Sequence, residues 1–214
     1  MTGPATISFE QVSVCFGNTV ALDKVSFEVG AGQKIAVIGA NGAGKSTLLR
    51  SLLGLISIDE GTVSVDGESA RTSIDWMQRR LAVAYIPQRP SKGRFPLSVK
   101  ELLGSSRNPE VSLSIGHDLG LSHLLEQSVS TLSGGQLQRC YVARGIGSLA
   151  GGACALVADE PTSALDFNGQ EHVAQLLTEI PATLIVVTHE RAVANNCDRV
   201  FEMASGVMRE AGTS

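Results

Sequence analysis

The stretch GANGAGKS, Gly39 to Ser46, constrains the fold of this chain more than any other segment. It matches the pattern G-x-x-x-x-G-K-[ST] in full. Lys34–Ile38 before it reads as a short buried strand. Lys45–Leu53 after it reads as a helix closed by Gly54. Between such elements, glycines let successive backbone N–H groups turn towards an anion. The helix start adds a favourable dipole. Gly39, Asn41, Gly42, Gly44, Lys45, Ser46 and Thr47 are therefore expected to cradle phosphate, with Lys45 reaching the terminal phosphates and Ser46 ligating Mg²⁺.

The rest of the pattern fits an α/β chain. Ile7–Phe16 alternates like an edge strand with a bulge, and Val25–Val29 reads as its partner. Gly61–Val65 with Asp66-Gly67 predicts a strand and a tight turn. Asp75–Arg80 predicts a short helix and Leu81–Ile86 a strand. Helices are expected at Ser98–Gly104, Asp118–Glu126, Gly134–Arg144, Gly169–Glu179 and Arg191–Asn196. Strands are expected at Ala155–Ala158, Thr183–Val187, Arg199–Met203 and Val207–Glu210. Strands alternating with helices imply a mainly parallel sheet covered on both faces, with a small antiparallel β layer at the front. Gly145 and Gly147, each costing about 1 kcal/mol relative to Ala in a helix, predict that the long helix ends early or packs loosely.

Four apolar residues lead into Asp159 and Glu160. A buried strand there presents Asp159 at its carboxyl end, where α/β sheets place ligands. Asp159 can join the Mg²⁺ shell, and Glu160 can polarise an attacking water as general base.

LSGGQ, Leu132–Gln136, followed by Leu137-Gln138-Arg139, then completes the set. With it the chain resembles the ABC transporter ATPase family over nearly its whole length. The resemblance implies the ABC ATPase fold, a P-loop NTPase with a helical subdomain inserted at about 89–145 of one domain spanning 1–214. It implies ATP hydrolysis with Mg²⁺. It places Ser133, Gly134, Gly135 and Gln136 on the γ-phosphate of nucleotide held by a second copy, in a head-to-tail dimer with two ATP sandwiches. Gln88 resembles the glutamine that senses Mg²⁺ or the lytic water, Asp166 the acid at the dimer seam, and His189 the switch histidine at the γ-phosphate. Phe16 matches the aromatic that stacks on adenine, against the alternative of a strand core residue.

The same resemblance implies a membrane permease subunit as partner. DEPTSALD, Asp159–Asp166, is similar to importer subunits, which also work with a solute-binding protein. Tyr85–Gln88 with Phe95–Val99 resembles the metal-ion branch, while sugar, amino-acid and haem-related transport stay open. The competing reading is a soluble ATPase of DNA repair or translation. Against it stand the net charge of −4 and 17 scattered basic residues, of which only Arg79 and Arg80 are adjacent. Contact with nucleic-acid phosphates needs clustered Lys and Arg, so no nucleic acid is expected as partner. No apolar run approaches the ~20 residues of a membrane span, and Met1–Glu10 lacks a signal pattern. The expected location is cytoplasmic, peripheral on the inner face of the membrane. Cys15, Cys140, Cys154 and Cys197 show no paired spacing and are expected as small buried residues.

Overall fold

A computed structural model describes residues 3–88, 90 and 96–211. Phe95, part of the motif Phe95–Val99, lies outside the described residues. The chain opens with strands β1 (Ile7–Phe16), β2 (Thr19–Val29) and β3 (Lys34–Ile38), then helix α1 (Lys45–Leu52). β4 (Glu60–Val65), β5 (Glu68–Ser69), α2 (Ser73–Ala82) and β6 (Val83–Ile86) follow. A helical stretch comes next: α3 (Val99–Gly104), α4 (Pro109–Asp118), two short 3₁₀ turns and α5 (Gly134–Ala150). The last third alternates as β7 (Ala155–Asp159), α6 (Phe167–Glu179), β8 (Thr183–Val187), α7 (Arg191–Ala194), β9 (Arg199–Ala204) and β10 (Val207–Glu210).

Two sheets result. One is antiparallel, in the order β2-β1-β4-β5. The other runs β10-β9-β3-β8-β7-β6 and is parallel apart from β10. Every residue of β7 and β8 is buried. Alternation divides them between two cores. Leu156, Ala158, Leu184 and Val186 face the helices α3–α7. Ala155, Val157, Ile185 and Val187 face α1 and the antiparallel sheet. Strands covered on both faces read as continuous apolar runs, which is why these two stand out in the sequence.

Five expectations need correction. β1 is not an edge strand, because β2 and β4 pair with it on either side. β2 begins at Thr19, not Val25: Gly17-Asn18 is a hairpin turn that sets Phe16 opposite Thr19. Gln11 and Lys24, both at positive φ, bulge the pair and break the two-residue alternation that would have revealed it. Asp118–Glu126 is not an α-helix and holds only a 3₁₀ turn at Ser122–Leu124. Gly120 at φ 75° ends the helix before it, and that helix is Pro109–Asp118, capped by Asn108 with proline at its first turn. Cys15 is exposed, on the outward side of β1. By contrast, Cys140 is fully buried, and burial pushes its thiol up to about 12.

α5 runs on through both glycines to Ala150. They serve close packing. A Cβ on Gly147 would sit 2.6 Å from the Ser112 Cβ and 3.0 Å from the Asn108 carbonyl oxygen, both in or beside α4. Gly147→Ala therefore gains about 1 kcal/mol of helix propensity and meets overpacking worth about 1–3 kcal/mol. We expect a net loss of stability, read as a lower urea midpoint; a raised midpoint would show that α4 yields freely.

Candidate active site

Parallel strands deliver the site residues side by side. In the order β3, β8, β7, β6, their carboxyl ends carry the glycine loop, His189, Asp159 with Glu160, and Gln88. This is the edge where open α/β sheets hold ligands.

The glycine loop is fixed by what surrounds it. A Cβ on Gly39, at φ 149°, would collide with the Met203 carbonyl of β9, and one on Gly44, at φ 107°, with the Ala21 carbonyl of β2. Backbone bonds from Gly206 to Ala43 (3.0 Å) and from Leu48 to Gly44 (2.9 Å) close the loop onto its neighbours. Lys45 is buried and donates from Nζ to the carbonyls of Gly39 (2.6 Å) and Ala40 (2.9 Å). Its charge thus lies within the loop it would share with a phosphate. Ser46 and Thr47 stand half-buried in the first turn of α1, and Asn41 and Gly42 are exposed.

Asp159 ends β7 with 1% of its surface exposed. Among the described residues neither carboxylate oxygen has a hydrogen-bond partner. Burial raises its pKa, and the Ser46 hydroxyl and the charges of Arg50 and Lys45 pull the other way. An orphaned buried carboxylate beside a hydroxyl and a phosphate cradle is a donor set that fits a hard divalent cation.

Glu160 is held at φ 47°, in the left-handed region. Such strain in a non-glycine residue costs about 1–3 kcal/mol and persists where surroundings impose it. Here the Glu160 N–H donates to Val187 at 2.8 Å, and its carbonyl accepts from Ser163 at 3.2 Å. The carboxylate reaches His189, with Oε2 at 3.4 Å from Nδ1, while the imidazole side chain stays 62% exposed. Gln88 is half-buried one residue beyond Pro87. Phe16 lies at the surface with 53% exposure, so it is no core residue and its ring is open to stacking.

The LSGGQ segment builds a second, separate helix start. Ser133 caps α5: its hydroxyl accepts from the Gln136 N–H (3.3 Å), and the Gln136 side chain accepts from the Ser133 N–H (2.9 Å). The Gln136 side chain is thereby committed to the cap. Gly135 lies against the Ala164 carbonyl, where a Cβ would approach to 2.8 Å. Asp166 caps α6 through Gly169 (3.0 Å) and pairs with Arg139 at 3.1 Å. Ser133–Gln136, Arg139 and Ala164–Asp166 line one hollow.

Three residues near the site escaped sequence reading. Arg50 sits one turn beyond Ser46 on α1, a spacing that places both on one face, and it influences Asp159 and Tyr85. Gln138 and Arg139 tie α5 to its surroundings. Gln138 and Arg139 follow LSGGQ in the run that carries the resemblance, but the sequence does not show which partners they reach, and Arg50 carries no signal beyond its helical spacing.

A phosphate cradle, a strand-end acid pair and a parallel sheet define a P-loop ATPase. The chain belongs to the ABC transporter family, whose profile matches residues 22–163. It is 33% identical to the phosphonates import ATP-binding protein of Caulobacter vibrioides, covering 96% of this chain and 87% of that one. It is 35% identical to a lipoprotein-releasing system ATP-binding protein of Xanthomonas euvesicatoria (92% and 85% covered). It is 30% identical to the high-affinity zinc uptake system ATP-binding protein of Bacillus subtilis (94% and 91% covered). A dimeric ATP-binding cassette solved in a post-hydrolysis state with ADP and Pi superposes at a TM-score of 0.83, with 26% identity over 96% of this chain and 97% of that one. The chain is an ATP-hydrolysing subunit of an ABC transporter.

Proposed function

We propose that the chain works as a head-to-tail pair, as one cassette over 1–214 with a helical arm at about 89–145, seated on a membrane permease subunit. The observation that carries this reading is the separation of two glycine-lined helix starts. The loop at Gly39–Gly44 closes onto β2 and β9, whereas Ser133 heads α5 beside Ala164–Asp166. Each is half of an anion site, and a second copy supplies the other half.

In the proposed mechanism, Phe16 stacks on the adenine. Lys45 exchanges the Gly39 and Ala40 carbonyls for phosphate oxygens, which are better partners for its charge. Ser46 and Asp159, with Gln88 nearby, would hold Mg²⁺, which neutralises charge on the β- and γ-phosphates when bound. The Glu160 carboxylate accepts the proton of the attacking water. His189, at 3.4 Å from Glu160, orients that carboxylate and reaches the γ-phosphate. Ser133, Gly134 and Gly135 point their helix start at the same phosphate from the partner, with Gln136 holding the cap. Asp166 fixes the loop at the seam.

Import is the direction we propose, with a metal ion or metal chelate as cargo and a solute-binding protein delivering it. Support comes from DEPTSALD, from Tyr85–Gln88, and from relatives named for zinc uptake and phosphonate import. Among the described residues no helix is long and apolar enough to cross a membrane. A peripheral position on the cytoplasmic face follows from permease docking. The test is affinity recovery of the tagged chain from detergent-solubilised membranes. A polytopic membrane protein should come with it. Recovery with ribosomes or nucleic acid instead would point to a soluble ATPase and overturn the transport reading.

A further inference from the structure

We infer that Gln138 is a positioning residue that locks the turn carrying Gln88 to the helix headed by Ser133, so that the two half-sites of one chain shift together. The inference rests on the roles proposed above for Gln88 and Ser133.

Gln138 has no exposed surface, although it lies only five residues beyond the Ser133 cap. Its Nε2 donates to the Pro87 carbonyl across 51 positions of sequence, at 3.4 Å. Among the described residues its Oε1 is buried without a partner. Leaving an amide oxygen unsatisfied in the interior is costly, whereas an apolar side chain of the same length would fill the space without that cost. Stability alone thus gives no reason for glutamine here. Among the described residues its one side-chain hydrogen bond is to the residue that precedes Gln88.

A second contact makes this link mechanical. Gly145, two turns further along the same face of α5, lies over Ile86, where a Cβ would come within 2.9 Å of Cγ1. α5 therefore rides on the end of β6 at two points, Gln138 on Pro87 and Gly145 on Ile86. The neighbouring Arg139 grips Asp166 at 3.1 Å on the other flank. The first turns of α5 are pinned to the loops leaving both β6 and β7. A buried amide with a long donor bond, and an acceptor unpartnered among the described residues, can settle into a second arrangement when its partner moves. Movement of Pro87 with Gln88 is then carried to Ser133.

The test compares the full-length wild type with Gln138→Met, which keeps length and removes both polar atoms. Steady-state ATP turnover should fall about tenfold, the loss expected for one hydrogen bond felt in the rate-limiting state. The KM and the Kd for ATP should stay within about twofold, and the melting temperature should hold or rise as the unsatisfied oxygen disappears. Wild-type turnover overturns the inference, and so does a turnover loss matched by a fall in melting temperature. Gln138→Glu gives an independent reading should the methionine variant fail to fold. A buried carboxyl that keeps its proton still donates to Pro87, so turnover should approach that of wild type wherever the proton is held, at the acid end first; turnover about tenfold below wild type at every pH overturns the inference. Combined with Gln88→Ala, Gln138→Met should add no further loss, and a fully multiplicative loss also overturns it. Failure of the underlying reading is seen separately, as unaltered turnover in Gln88→Ala or Ser133→Arg alone.

Discussion

Glu160→Gln is expected to bind ATP as the wild type does and to lose about 10²- to 10⁴-fold in turnover, the range of a removed general base. The substitution is a narrow one. Glutamine has the same length, so the left-handed backbone at φ 47° and its bonds to Val187 and Ser163 survive. The lost property is the negative charge that faces His189 at 3.4 Å and that, in the role proposed for it, takes a proton from water. Asp159, Ser46 and Lys45 remain for the nucleotide, so affinity should not suffer. A bound triphosphate that is not cleaved keeps both halves of the sandwich engaged. The variant should therefore elute as a dimer with ATP and Mg²⁺, and as a monomer without. Monomeric elution with ATP counts against the sandwich, and turnover within tenfold of wild type assigns the base elsewhere.

The cradle and the acid pair are legible because their physics is local. An apolar run, a glycine loop that must avoid the Met203 and Ala21 carbonyls, and a helix start follow one another along the chain. β3 and β8 were readable to the residue, since strands buried on both faces lack the polar interruptions that blur boundaries. Pairing order was not. Alternation in β1 shows one buried face and not how many neighbours the strand has, so β4 left no mark, while the bulges at Gln11 and Lys24 hid the first half of β2. α4 had a start signal in Asn108-Pro109, diluted by Gly116 within the helix. The glycines of α5 show how propensity misleads. It records what Gly145 and Gly147 cost a lone helix and says nothing of Ile86 and Ser112, which need the space. Gln138 and Arg139 act through residues 51 and 27 positions away, beyond any spacing argument.

The cross-chain role proposed for the LSGGQ segment makes the other large prediction. Ser133→Arg should leave ATP titration of single chains unchanged and cut turnover at least about 10²-fold, the scale of removing a preorganised donor from a transition-state charge. Two effects act at once. The hydroxyl that caps Gln136 is lost, worth about 0.5–2 kcal/mol, and a long cation fills the hollow lined by Gly134, Gly135 and Ala164. Ser133→Ala removes only the cap, so the excess loss in the arginine variant measures obstruction of the phosphate. Mixing decides whether the obstruction lies in trans. Ser133→Arg keeps its own cradle, and Lys45→Ala keeps its own LSGGQ segment. Each alone should be inactive. In an equimolar mixture half of the pairs are heterodimers, and each of these assembles one sound site from the cradle of one chain and Ser133 of the other. Turnover should return to about a quarter of wild type for head-to-tail pairs with independent sites. A segment serving its own cradle would leave the mixture as inactive as its parts.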